Sequence, residues 1–399
     1  VYTNHLPGGF MRAPGDPQVL FALESHIDEV AYKLGMDPLE LRRKNVLQDG
    51  DSNATGEKWA DLTASRVLEK AVAASNYGKP KTRPNIGRGM AITNRHTGGG
   101  DAEVLMKIAG DGAVELLTGT PDAGQGSHTI QRQIIAEILS IPIERVKVTV
   151  GGTDVAPVDG GIGGGKTTHV TGQAVMAAAN KAADELRGWA AELRGWPENE
   201  IELRDGAFWL SGLSTQDSAL TAPVTLEMAV AEAVKRKGEP LDYRASYSKS
   251  KVDEECFACQ VAEVEVDPET GQVTVLQIST AHDSGTLLNP MAAEGQIEGG
   301  VIQGLGFAVM EEVIIEEGKV ANPNFGEYKI PTIADIPKIE EAWVTDATGP
   351  LPYNGRALAE HSLIVTAGAI GNAVRDAVGV RITSTPITAE KVHRALHGA

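Results

Sequence analysis

Asp-Gly turns set between short apolar runs constrain this fold more than any other feature of the sequence. In residues 102–119 (AEVLMKIAGDGAVELLTG), Asp111-Gly112 separates two such runs, the strongest short-range signal for a β-hairpin. Residues 201–210 (IELRDGAFWL) repeat the device with Asp205-Gly206, and 261–278 alternate around a turn ending in Gly271. A fourth hairpin is predicted over 313–322 (VIIEEGKVAN). Between the hairpins lie stretches with helical spacing. In 17–35, Leu20, Leu23, Ile27, Val30 and Leu34 share one face, and Gly35 ends the helix. Asp37-Pro38 opens a second, short helix, with proline at the first helical position. Further helices are predicted near 127–139, 172–194, 225–237, 290–311, 367–377 and 388–396. Hairpins mixed with helices give an α+β class with mixed or antiparallel sheets and packed helices, not a doubly wound parallel sheet.

A chain of 399 residues predicts two or three domains. A polar, proline-bearing stretch at 78–88 reads as a linker, and 238–250 reads as a break, giving segments 1–80, 85–245 and 246–399. The formal net charge of −18 argues against a nucleic-acid-coating surface, which needs clustered Lys and Arg. No apolar run approaches the ~18 residues of a membrane span, and the opening VYTNHLPGGFMRAPG lacks the pattern of a signal peptide. Two cysteines cannot build a disulfide framework, so the expected compartment is the cytoplasm. Cys256 and Cys259 have C-x-x-C spacing but open a strand and lack a second pair, so they read as ordinary cysteines. The nine histidines are scattered, which gives His-ligated metal catalysis little support.

Glycine is in surplus, 45 of 399 residues, about 11% against a usual ~7%, and it concentrates where helices start. Gly124-Gln125-Gly126 precedes the helix opening at Ser127. Free amides and the partial positive charge there suit an anion or a carbonyl-bearing ring, and a plain turn capped by Ser127 is the competing reading. Gly160–Thr168 (GGIGGGKTT) matches the phosphate-loop pattern G-x-x-x-x-G-K-T. Pro157 spoils the strand that motif requires, and Val146–Val150 ends too early, so a nucleotide hydrolase is disfavoured. Gly165, Lys166, Thr167 and Thr168 still suit a phosphate. A third cluster, from Asn289 to Gly306, spaces Gln296 and Gln303 seven apart on a glycine-rich helix. Each glycine there costs ~1 kcal/mol against alanine, which implies close packing against a ligand or another helix.

Taken in order, these segments resemble the molybdenum-binding subunit of the xanthine dehydrogenase/aldehyde oxidase family. Gly9–Gln18 (GFMRAPGDPQ) is similar to the family's GAFRGFGxPQ loop, and Thr118–Thr129 to its GQG segment. Thr153-Asp154 and Gly165–Thr168 fall where the family has TD…GSRST. Ala281–Glu312 resembles DxGxxxNPxxxxGQxxGGxxQGxGxAxxEE, and Gly349–Val380 the family's GPxGAKGxGEPP…AIANAVxDAxGV. The resemblance implies a molybdopterin cofactor carrying molybdenum through the pterin, in the cytosine dinucleotide form. It places Gly124, Gln125, Gly126, Gly165, Lys166, Thr167, Thr168 and Gln296 at the cofactor. It makes Glu360 the catalytic base and Arg12 a group that orients substrate. Segment 1–80 then ends a first molybdopterin-binding domain, and 85–245 and 246–399 form the two halves of a second. The implied reaction is hydroxylation of an electron-poor carbon of an N-heterocycle, purine- or nicotinate-like, with water as oxygen source.

Departures from the family pattern are equally specific. Lys-Gly-x-Gly-Glu becomes Arg356-Ala357-Leu358-Ala359-Glu360, and Pro14 replaces an aromatic. The altered loop leaves open a Glu360 that merely caps helix 367–377. Aldehyde oxidation and a non-catalytic, cofactor-holding scaffold remain the alternative functions. The sequence has no cysteine set for a [2Fe–2S] cluster and no dinucleotide fingerprint. The expected partners are therefore a [2Fe–2S] subunit, an FAD subunit and a second molybdenum-domain subunit supplying the family's earlier residues.

Overall fold

The computed structural model describes residues 9–52, 55–56, 58–212, 222–249 and 255–398. The first eight residues of the stretch searched for a signal peptide, and Ser250 at the end of the expected break, lie outside these described residues. The described elements run α1 (Asp16–Lys33), α2 (Pro38–Asn45), α3 (Ala64–Ala74), β1 (Ile86–His96), β2 (Gly100–Ile108), β3 (Val114–Thr118) and α4 (Ser127–Leu139). They continue with β4 (Val146–Val150), α5 (Gly172–Arg194), β5 (Ile201–Arg204), β6 (Ala207–Leu210), β7 (Val224–Thr225), α6 (Leu226–Lys237), β8 (Leu241–Lys249), β9 (Glu255–Val266) and β10 (Val273–Asp283). The last are α7 (Pro290–Val309), β11 (Ile315–Glu316), β12 (Lys319–Val320), β13 (Lys338–Val344), α8 (His361–Val378) and α9 (Ala389–His397). All four predicted hairpins form. The architecture is α+β with mixed sheets, as the turn pattern requires.

The chain divides into two compact units, one of residues 1–96, 254–349 and 354–399, the other of 97–253 and 350–353. Most of segments 1–80 and 246–399 therefore share the first unit. Its sheet has the order β1-β9-β10-β13. The β1/β9 and β9/β10 pairs are antiparallel, and β10/β13 is parallel. Strand β9 is buried on both faces, as its near-continuous apolar run dictates. Phe257, Cys259 and Val261 pack with Val67 and Leu68 of α3. Ala262, Val264 and Val266 belong to the core built by α1, α7 and α8. Helix α8 is apolar around most of its circumference and is buried along nearly its whole length, the expected fate of such a helix.

The glycines of α7 explain its contact with α8. A Cβ at Gly300 would lie 1.9 Å from Ser362 Oγ, and one at Gly304 would lie 2.5 Å from Thr366 Cβ. Only hydrogen fits at these two positions. Gly295 and Gly299 face open space, so the helix-packing reading accounts for only one side of the cluster.

The second unit carries a sheet in the order β4-β3-β2-β8 and a small sheet β5-β6-β7. Alanine-rich α5 lays Ala174, Ala178, Ala182 and Leu186 inward against β2 and β8, with α4 and α6 beside it. Several expectations need correction. Residues 241–249 of the supposed break form β8, whose Leu241, Tyr243 and Ala245 are buried while Asp242, Arg244 and Ser246 are exposed. That is strand alternation. The 78–88 linker ends in β1, inside the first unit. Helix α3 was not anticipated, although Ala64, Val67, Leu68 and Ala71 are buried at helical spacing. Helix α8 starts at His361 rather than 367; the β-branched Ile-Val-Thr run hides its start, and burial overrides that preference.

Candidate functional site

In the first unit the fold brings Arg12, Gln296 and Glu360 together from three distant stretches of chain. Residues 12–15 form the turn before α1, with Ala13 at φ 55° and Gly15 at φ 84°. Arg12 Nε donates to the Ala359 carbonyl at 2.5 Å, and Arg12 Nη2 donates to the Gln296 carbonyl at 3.0 Å. The Ala13 amide donates to Glu360 Oε1 at 2.9 Å. Arg95, near the end of β1, donates from Nε to Glu360 Oε2 at 2.5 Å, and its Nη1 pairs with Asp16. Glu360 is 9% exposed. It occupies the N-cap position of α8, yet its side chain makes no capping bond; both carboxylate oxygens turn to the Arg12 turn and to Arg95. Burial holds the Arg12 guanidinium below its ordinary value, with the charge of Glu360 acting in the other direction.

Next to Glu360 in the chain begins a layer of buried polar side chains. His361 and His282 are buried. Neither ring nitrogen of His361 makes a hydrogen bond of good geometry, and His282 Nε2 lies 2.7 Å from Thr280 Oγ1. Burial pushes both imidazoles down, His361 against the pull of Asp283, the Arg95 backbone and Glu360, so both are neutral at pH 7. Asp283 receives the Phe257 amide at 2.9 Å and Arg356 Nη1 at 2.9 Å. Arg356 also reaches Asp61 Oδ2 at 2.7 Å and the Thr348 carbonyl at 2.9 Å. The residue at the family's lysine position is thus engaged in anchoring the loop that leads to Glu360.

In the second unit the two glycine loops are tied together. Thr120 Oγ1 lies 3.0 Å from Thr171 Oγ1, Thr171 donates to Asp159 Oδ2 at 3.0 Å, and Thr120 also bonds Asp159. Gly163, Gly164 and Gly165 have φ of 144°, 56° and 71°, three successive left-handed residues that side chains would oppose. Lys166 Nζ donates to the Gly160 carbonyl at 2.6 Å. Residues Thr167–Thr171 form a π-helical turn leading into α5, a local widening often found at functional sites. Thr167 is buried and Thr168 half-buried. No strand directly precedes this loop, so the architecture of a nucleotide hydrolase's phosphate loop is not made.

The Gly124–Gly126 loop is satisfied from within. Asp122 accepts from the amides of Gly124 at 2.9 Å, Gly126 at 3.2 Å and His128 at 3.2 Å. Burial pushes the Asp122 carboxyl up, but these amides outweigh it and hold the group below the usual range. The Gln125 amide folds back, donating to the Pro121 carbonyl and Ser127 Oγ and accepting from the Ala123 amide at 2.7 Å. Sequence reasoning missed Arg95, Asp16, Asp122 and Asp159. Asp122 was legible as an Asx residue two positions before a glycine; the pairing of Arg95 with Glu360 carries no local signal. Cys256 and Cys259 are buried thiols, not joined in a disulfide. Among the described residues no group of three His, Cys, Asp or Glu could hold a metal ion.

Residues 59–337 match a family described as molybdopterin cofactor-binding domain, and residues 1–46 match a second family of the same description. The xanthine dehydrogenase molybdenum-binding subunit of Escherichia coli O157:H7 is 32% identical, over 99% of this chain and 54% of that protein. The aldehyde oxidoreductase molybdenum-binding subunit of Escherichia coli K12 is 31% identical, over 98% of this chain and 53% of that protein. The crystal structure of quinoline 2-oxidoreductase from Pseudomonas putida 86 superposes with a TM-score of 0.88 at 25% identity, covering 98% of this chain and 53% of that one. The chain spans about half the length of the curated relatives it matches.

Proposed function

Because the chain belongs to the molybdopterin cofactor-binding family of molybdenum hydroxylase subunits, we propose that it supplies the catalytic carboxylate of such an enzyme. The observation that carries this reading is the convergence of Arg12, Gln296 and Glu360 on one another. The donor set of the second unit supports a bound, phosphate-bearing pterin. Lys166 has ammonium protons beyond the one given to Gly160, and the left-handed glycines 163–165 keep Cβ atoms away from a ligand. Gly165, Lys166, Thr167 and Thr168 would hold the phosphates. Gln296 would meet the pterin, and so would Gly124, Gln125 and Gly126, after Gln125 releases its internal bonds. When bound, molybdopterin supplies a molybdenum centre that activates water and accepts two electrons. The cytosine dinucleotide form is our reading of which molybdopterin is bound.

Glu360 would take the proton of the attacking water. Each of its oxygens has one donor, and a carboxylate offers about four acceptor positions, so room for the proton remains. A buried carboxylate in fixed orientation is an effective base. Arg12, tethered by two of its five N–H groups, would present the remainder to negative charge developing on the substrate. The proposed substrate is an electron-poor N-heterocycle, purine- or nicotinate-like. An aldehyde is the second reading, favoured by the 31% identity to an aldehyde oxidoreductase subunit. Electrons would leave through [2Fe–2S] and FAD subunits. Segments 1–80, 85–245 and 246–399 would take the family domain roles given above. The assembly would be cytoplasmic; among the described residues no helix is long and apolar enough to cross a membrane.

The test is Glu360→Gln in the assembled complex, with molybdenum content and dye-linked oxidation of xanthine and benzaldehyde measured together. Turnover is expected to vanish while molybdenum stays bound. Unchanged turnover overturns the base assignment, and a wild-type complex without molybdenum overturns the enzyme reading in favour of a scaffold.

A further inference from the structure

Among the described residues, Arg95 is the hydrogen-bond partner of the Glu360 carboxylate that arrives from neither the Arg12 turn nor the start of α8. It stands on β1, opposite Cys256 of β9 in the ladder, so an edge strand paired with β9 along its whole length carries it. Its guanidinium forks: Nε meets Glu360 Oε2 at 2.5 Å, and Nη1 meets Asp16, the first residue of α1. The Ala13 amide takes the other oxygen, Oε1, at 2.9 Å. The carboxylate is therefore gripped on both oxygens by donors from two separate elements. Such a grip fixes its side-chain torsions and the direction of its remaining lone pairs.

Charge makes the same point. Arg12, Arg95, Asp16 and Glu360 form a neutral set of two cations and two anions, with the Arg95 side chain 17% and that of Glu360 11% exposed. Removing Arg95 leaves the two carboxylates of Asp16 and Glu360 against the single guanidinium of Arg12. That guanidinium is committed to the carbonyls of Ala359 and Gln296. Repulsion between like charges then favours swinging Glu360 out of place. A lysine would supply charge but cannot span both carboxylates with a planar fork.

We infer that Arg95 is a positioning residue for Glu360, and that Asp16 acts on the same carboxylate only by holding Arg95. The inference rests on the reading of Glu360 as the base, but its structural half can be tested without it. Crystal structures of Arg95→Met and Arg95→Lys should show the Glu360 carboxylate displaced from the Ala13 amide in the first and held by a single contact in the second. In the assembled complex, with xanthine and benzaldehyde as probes and a dye acceptor, Arg95→Met should lower kcat about a hundredfold, the loss expected for a misplacement near 1 Å. KM should change much less. Arg95→Lys should recover part of the loss. Asp16→Asn should cost a few-fold alone and nothing further in the Arg95→Met background, whereas a purely structural role would add.

If Arg95→Met does not accumulate, the Arg95→Lys structure and kinetics decide the question. Full kcat in Arg95→Met or Arg95→Lys with Glu360 unmoved, while Glu360→Gln is inactive, overturns the positioning role and leaves the base assignment standing. An active Glu360→Gln removes the base assignment, and the variant structures alone then judge whether Arg95 places the carboxylate.

Discussion

Two alanine substitutions on one helix should move stability in opposite directions. Gly299 and Gly304 both lie within α7, and replacing either with alanine gains about 1 kcal/mol of helix propensity. At Gly299 the new methyl meets nothing within 4 Å, so that gain should appear whole. At Gly304 the methyl would lie 2.5 Å from Thr366 Cβ, 2.6 Å from Thr366 Oγ1 and 3.1 Å from the Leu363 carbonyl. Carbon atoms prefer about 3.5–4.0 Å, so α7 and α8 must part by more than 1 Å. Thr366 cannot turn away, being β-branched and hydrogen-bonded to Gln260 Oε1 at 2.9 Å. Overpacking of this kind costs about 1–3 kcal/mol, here at the upper end, for a net loss of about 2 kcal/mol. Each kcal/mol shifts the melting temperature by roughly 2–4 °C in a unit of this size. Gly299→Ala should therefore melt a few degrees above the wild type and Gly304→Ala several degrees below it, read by calorimetry and by urea midpoint. A Gly304→Ala protein as stable as Gly299→Ala would refute the claim that α7 and α8 touch through bare backbone.

Two further outcomes follow from carboxylates held by hydrogen bonds. Asp122 is held below its ordinary value by three amides, so the stability it contributes is present above its unfolded value and is lost as pH falls through the folded one. From about pH 4 downward, urea midpoints of Asp122→Asn should fall less steeply than those of the wild type, and parallel curves would count against the amide cage. Arg356→Met strands Asp283, whose side chain is fully buried, and should destabilise by about 3–5 kcal/mol; a denaturant series showing under 1 kcal/mol would mean that the pair is dispensable.

The four hairpins and most helix ends were legible because their signals are local. Asp-Gly turns, the Asp37 cap with Pro38, and the glycines after α5 and α6 act within a few residues. The strand β8 and helix α3 were equally written in the sequence, as alternation in LDYRASYSK and as the spacing of Ala64, Val67, Leu68 and Ala71, but the polar flanks masked them. The parallel pairing of β10 with β13 has no local signature at all. The site divides in the same way. Motif order picked out Arg12, Gln296 and Glu360, whereas the contacts of Arg95 with Asp16 and Glu360 emerge only when residues 79 and 265 positions apart are brought together. The Gly124–Gly126 loop is a different case. Its free amides were correctly placed at a helix start, yet the anion they hold is the chain's own Asp122.

The rung that pairs His96 with Glu255 has a consequence for biosynthesis. These residues are where the chain leaves the first unit and where it returns, so the β1–β9 ladder cannot close until residues 97–253 have emerged from the ribosome. That intervening stretch is a compact unit in its own right. Its prior folding shortens the loop the ladder must close, and loop entropy grows only with the logarithm of length. Emergence alone places the inserted unit first, the completed ladder second and α8 after both. Glu360 meets Ala13 and Arg95 only at that final step.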